Sequence, residues 1–271
     1  MPDRNAPLGV FDSGLGGLTV VRALRAALPF EDIIYLGDTA RVPYGTRGAS
    51  TVIKYASGCG KQLVNRGVKA LVIACNTVSA VAPERLRIDL DLPVLEAIGP
   101  GARAAVNASK SGKIGVLATA GTIASGAYTR AIGAIDTRAE VFGQAAPLLV
   151  PLAEEGWIDG DVPRLAARRY LEAFVKANVD VVVLGCTHYP ILRNTIEQAA
   201  KELLGGHVVV VDSASAIAES VGEFLRARNL NREGDQRGSI RLLVTDQPKS
   251  FEDVASRFLG DVVQNVELID L

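Results

Sequence analysis

The chain has 271 residues, more than the roughly 100 to 200 of most single-core domains, so two compact units are expected ahead of one long barrel-like domain. With 48% hydrophobic and 22% charged residues, it has apolar surface enough for a buried core, which excludes disorder of the whole chain. Its 29 basic and 30 acidic residues leave a formal net charge of -1, so no overall field draws it to nucleic acid or an anionic membrane, and the expected partner is a small molecule.

The opening stretch 1–7 is polar and lacks the charged-then-apolar pattern of a secretory signal. Strand-like apolar runs then recur at 8–11, 33–36, 70–74, 94–98, 113–118, 140–143, 179–184 and 208–211. Between and after them, amphipathic stretches predict helices at 17–27, 49–66, 78–90, 99–108, 124–132, 162–177, 191–204 and 213–228. A polar, glycine-bearing loop at 229–238 precedes a further strand at 240–244. No apolar run approaches the roughly 18 residues of a membrane span. The strand runs are continuous rather than alternating in hydrophobicity, as in parallel strands covered on both faces, so the fold class is α/β.

Two segments occur twice. Leu8-Gly9-Val10-Phe11 has the shape of Ile114-Gly115-Val116-Leu117, and the strand before Cys75-Asn76-Thr77 has that of the strand before Cys186-Thr187-His188. The offsets are 106 residues from Gly9 to Gly115 and 111 from Cys75 to Cys186. Two matches in the same order at nearly one spacing point to duplication. The expectation is two pseudo-symmetric lobes, each a mainly parallel sheet flanked by helices, with the active site in the cleft between them. A cluster of turn residues at Gly99-Pro100-Gly101 marks the break. The strand at 208–211 has no evident counterpart, so the tail is expected to return to the first lobe: 1–98 plus 208–271 as one discontinuous lobe, 99–207 as the other.

In open α/β sheets ligands bind beyond the carboxyl ends of the strands. The residues there are Asp12-Ser13, Asp38 with Pro43-Tyr44-Gly45, Cys75-Asn76-Thr77, Thr119 with Thr122, and Cys186-Thr187-His188. Taken alone, Cys75 reads as a buried apolar cysteine. Asn76 and Thr77 alter that reading, because polar groups at a helix start lower a thiol pKa and hold a carboxylate. His188, one of two histidines, stands two residues after Cys186. Cys59, in mid-helix, is assigned to packing, and His207, after Gly205-Gly206, to a solvated loop. The odd, sparse set of three cysteines argues for reduced thiols rather than a disulfide framework. Two cysteines so far apart with one nearby histidine match no compact zinc spacing, so no metal site is expected. The turn 12–17 lacks both the dinucleotide glycine spacing and the P-loop lysine, and reads as amides brought close to a small anion. Singly, Ser13, Asn76 and Thr77 read equally well as helix caps.

The segments DSGLGGLTV (12–20), GDTARVPYG (37–45), ALVIACNTVSA (70–80), VPLAEEG (150–156) and LGCTHYP (184–190) resemble the glutamate racemase family. The resemblance implies a two-lobed enzyme interconverting L- and D-glutamate without pyridoxal phosphate or another cofactor, supplying D-glutamate for peptidoglycan from the cytoplasm as a homodimer. It implies Cys75 and Cys186 as acid and base on opposite faces, Asp12 and His188 as their proton-handling partners, and Glu154 near the second thiol, with adjacent Glu155 the other candidate. It also implies that Asp12, Ser13, Tyr44, Gly45, Asn76, Thr77, Thr119, Thr122, Thr187 and His188 contact the substrate. Two thiols suit the chemistry, since inverting a carbon needs one base and one acid on its two sides. Aspartate racemases share the two-cysteine plan without the His-Tyr-Pro that follows Thr187 here, which turns the substrate toward glutamate. A covalent thiol enzyme would leave one cysteine unexplained. A binding role, such as the gyrase inhibition known for some glutamate racemases, is the alternative of another class.

Overall fold

The computed structural model describes residues 3–263 and 265–271; Met1 and Pro2, the start of the polar opening stretch, lie outside them. The first set of elements is β1 (Leu8–Asp12), α1 (Leu18–Ala27), β2 (Ile33–Gly37), α2 (Ala49–Val64), β3 (Ala70–Ile73), α3 (Asn76–Ser79), α4 (Pro83–Asp89), β4 (Val94–Glu96) and α5 (Ile98–Ala108). The second is β5 (Lys113–Ala118), α6 (Ala120–Ser125), α7 (Ala127–Ile135), β6 (Glu140–Ala145), α8 (Leu149–Glu155), α9 (Asp161–Val175), β7 (Val181–Gly185), α10 (Arg193–Leu204), β8 (Val209–Asp212) and α11 (Ser213–Ala227). A tail of β9 (Ile240–Val244), α12 (Pro248–Leu259) and β10 (Val266–Leu268) follows.

The strands form a six-stranded sheet, β10-β9-β2-β1-β3-β4, and a four-stranded sheet, β6-β5-β7-β8. Every pairing in both is parallel. All residues of β1, β2, β3 and β7 are buried, which is why their sequences are continuously apolar. The order β2-β1-β3-β4 repeats as β6-β5-β7-β8, so the duplication read from two segments extends to four strands on each side. Among the described residues no helix is long and apolar enough to cross a membrane.

The repeat corrects one expectation. The strand at 208–211 does not join the first lobe. As β8 it pairs with β7, Val209 opposite Val181, and occupies the place β4 has in the other sheet. Its apolar run echoes β4 only weakly in sequence, which hid the correspondence. The helices that follow these two strands are exchanged. Ile98, Ala102 and Ala105 of α5 join the core of the second sheet with Ile114, Val116 and Val181, while α11 packs on α1.

Local chemistry explains the remaining differences. The helix expected over 78–90 is two, α3 and α4, because Pro83 begins the second at a position that needs no N–H. The helix expected over 124–132 is α6 and α7, divided at Gly126 with φ 66°. Gly99-Pro100-Gly101 is no turn but the start of α5, where proline again costs no hydrogen bond. Three elements were not anticipated: α8, α12 and β10.

Candidate active site

The carboxyl ends of β1, β3 and β7 deliver the central residues. Cys75 stands at the amino end of α3 as its N-cap residue, with φ -64° and ψ 119°. Its thiol donates to Ser13 Oγ at 3.5 Å. Cys186 follows β7 directly. Its Sγ lies 3.8 Å from His188 Nδ1, and His188 Nε2 donates to Glu154 Oε1 at 2.9 Å. Both cysteines are free thiols, each 5% exposed, and both line one cavity of about 300 Å³.

The titratable groups around the cavity are shifted by burial and by one another. Burial first, then the Asp12 charge, pushes the Cys75 thiol up to about 12, against the Ser13 hydroxyl and the Val78 N–H. Burial also pushes the Asp12 carboxyl up, countered by the His188 charge and by the Gly14 and Gly17 amides. His188 goes the other way: burial disfavours its charge, but hydrogen bonds to Cys186 and Glu154 outweigh burial and hold the imidazole up to about 10. At neutral pH Cys75 is therefore a protonated thiol, and an imidazolium faces Cys186.

Of the residues singled out in the sequence, Ser13, Tyr44, Gly45, Cys75, Asn76, Thr77, Thr119, Glu154, Cys186, Thr187 and His188 line this cavity. Asp12 and Thr122 stand behind its wall. Asp12 is fully buried, accepting the Gly14 N–H at 3.0 Å and the Thr187 hydroxyl at 3.3 Å. Thr122 Oγ1 lies 3.0 Å from Thr119 Oγ1, and Thr77 Oγ1 lies 2.9 Å from the same atom, so the three hydroxyls join the lobes across the cleft. The Tyr44 hydroxyl is turned away, donating to Asp38 at 2.5 Å. Asn76 is held on both ends of its amide: Nδ2 donates to Ser213 and Oδ1 accepts from Tyr128. Glu154 rather than Glu155 reaches His188. Cys59 is fully buried in the core of the first lobe and His207 is exposed.

Sequence reasoning missed the apolar side of the cavity, formed by Val42, Pro147, Val150 and Pro151. The last three belong to α8 or the turn before it, a stretch to which the sequence assigned no element. It also missed why position 16 is glycine. A Cβ there would stand 2.4 Å from both His188 Nδ1 and Thr187 Oγ1, so only glycine lets the first lobe close on the second at this point.

One thiol from each half of a duplicated α/β fold, both facing a cavity of small-molecule size, is the layout of an isomerase that works on one carbon from two sides. The chain belongs to the Asp/Glu/Hydantoin racemase family, whose model matches residues 16–221. It is 48% identical to a glutamate racemase of Geobacter metallireducens over 264 residues, covering 97% of this chain and 96% of that one. Its fold is similar to that of a glutamate racemase of Bacillus anthracis, with a TM-score of 0.93, 36% identity and coverage of 99% and 98%. The Francisella tularensis glutamate racemase, solved in complex with D-glutamate, gives a TM-score of 0.89 and 38% identity, with 98% of each chain covered.

Proposed function

We propose that the protein interconverts L- and D-glutamate by moving protons between the substrate's α-carbon and two thiols, with no cofactor taking part. The observation that carries this reading is the one cavity lined by both Cys75, from the first lobe, and Cys186, from the second. One thiol removes the α-proton while the other returns a proton to the opposite face, and each turnover leaves the pair in the reverse protonation state. His188, with Glu154 behind it, exchanges the proton at Cys186. Asp12 and Ser13 serve Cys75.

Substrate binding falls to the hydroxyls and amides of Ser13, Gly45, Asn76, Thr77, Thr119 and Thr187, with Tyr44, Thr122 and Asp12 shaping the wall. Neutral donors suffice for carboxylates when they are preorganised. Glutamate is favoured over aspartate by the relatives matched across almost the whole chain. The product would serve peptidoglycan synthesis in the cytoplasm, where thiols stay reduced, and the enzyme would act as a homodimer.

The test is purified protein with L-glutamate and, separately, L-aspartate, followed by circular dichroism without added cofactor. The glutamate signal should decay to zero while aspartate persists. An unchanged glutamate signal would overturn the proposal, and decay of aspartate alone would reassign the substrate.

A further inference from the structure

The two repeated units would serve the two thiols alike, but the tail breaks the symmetry. Beyond the repeat, β9 and β10 extend the first sheet, and α12 between them reaches across to the second lobe. Two consecutive residues of α12 make that contact. Arg257 Nη1 donates to the Glu154 carbonyl at 2.5 Å and to the Ala153 carbonyl at 3.4 Å, both in the last turn of α8. A guanidinium suits this place, since the carbonyls that end a helix have no partners of their own and carry its negative dipole end. Gly156, with φ 79°, ends α8, and a Cβ there would stand 2.7 Å from Arg257 Cζ. Phe258 is fully buried and meets the His188 ring edge-on, centroids 5.3 Å apart and planes at 79°.

These contacts bear on both members of one pair. The Glu154 side chain is 42% exposed, so its aim depends on where the last turn of α8 is held. The His188 ring must keep Nδ1 toward Cys186 and Nε2 toward Glu154 at once, which fixes its plane. The hydrogen-bond partner of Cys75, Ser13 Oγ, comes from the first lobe. The geometry points to Arg257 and Phe258 as positioning residues for proton transfer at Cys186: Arg257 pins the turn that carries Glu154, and Phe258 sets the plane of His188. This rests on the two-thiol reading above.

The test compares Arg257→Ala and Arg257→Lys with the wild type, folding being checked by far-UV circular dichroism. Because the two enantiomers are equally stable, kcat/KM must fall equally in both directions, by up to about 10²-fold for a misplaced catalytic group. The isotope effects need not move together. With α-deuterated L- and D-glutamate, Arg257→Ala should raise the primary effect for the enantiomer whose proton Cys186 removes and lower it for the other. Arg257→Lys, which keeps one donor, should restore much of the rate. Isotope effects that shift alike in both directions, or an undiminished kcat/KM in Arg257→Ala, would overturn the proposal. Full racemase activity in Cys186→Ser would overturn the two-thiol reading itself, and this proposal with it.

Discussion

At Cys186 a hydrogen-bonded chain runs through His188 to Glu154 at the cavity edge, whereas Cys75 sits against Ser13 with the buried Asp12 behind it. Neither thiol can do the work of the other, since each reaches the cavity from its own lobe. Cys75→Ser and Cys186→Ser should each lower racemisation from both enantiomers by roughly 10²- to 10⁴-fold, the usual worth of a positioned acid or base, with far-UV circular dichroism unchanged. His188 gives a second prediction. Facing it are Cys186, Glu154 and the carboxyl of Asp12, with the Phe258 ring on its remaining side. Its imidazole is held up to about 10 against an ordinary 6.5. As pH rises the unfolded chain gives up this proton first, so the stabilisation is whole below about 6.5 and is lost on the way to about 10. The Tm advantage of the wild type over His188→Asn should therefore shrink across that interval; a difference independent of pH would contradict it.

Among the elements, those built on long apolar runs were legible in the sequence, and with them the strand-end residues that form the cavity. Cys75, Cys186 and His188 were visible because short motifs repeat around them after buried strands. The elements that escaped were short or carried misleading residues. No element was expected between 143 and 162, yet α8 forms there with Pro151 in its first turn, where the missing N–H costs nothing. Without that helix the apolar wall of the cavity went unread and Glu154 and Glu155 stayed indistinguishable, since only a helix decides which of two neighbours faces inward. The tail was expected to join the first lobe without its helix being recognised, and α12 begins with a proline after Gln247, whose φ is 46°. The hydrogen bonds of Tyr44 to Asp38 and of Asn76 to Tyr128 and Ser213 depend on rotamers, which residue type alone does not specify.

For the whole molecule, duplication explains why two cysteines meet at all: each half carries its thiol to the same strand end, and the exchanged helices α5 and α11 tie the halves together so that the ends face one cavity. Opposite that cavity, at the amino ends of the first sheet, fully buried Lys69 pairs with Glu31 at 2.5 Å and donates to the Arg4 and Leu230 carbonyls. Lys69→Met would leave Glu31 buried without its cation. It should lower unfolding stability by about 3 to 5 kcal/mol, seen as an earlier urea midpoint, while turnover per folded molecule stays as it was; a loss within about 1 kcal/mol, as at a surface pair, would contradict this. The central claim, that the α-carbon is served from two sides by separate acids, is tested most directly by racemising L-glutamate in deuterium oxide and analysing the first few per cent of product by chiral chromatography and mass spectrometry. The account predicts D-glutamate carrying one solvent deuterium at the α-carbon, with the unconverted L-glutamate still unlabelled. D-glutamate that keeps the original α-hydrogen would mean a single group hands the same proton back, and would contradict it.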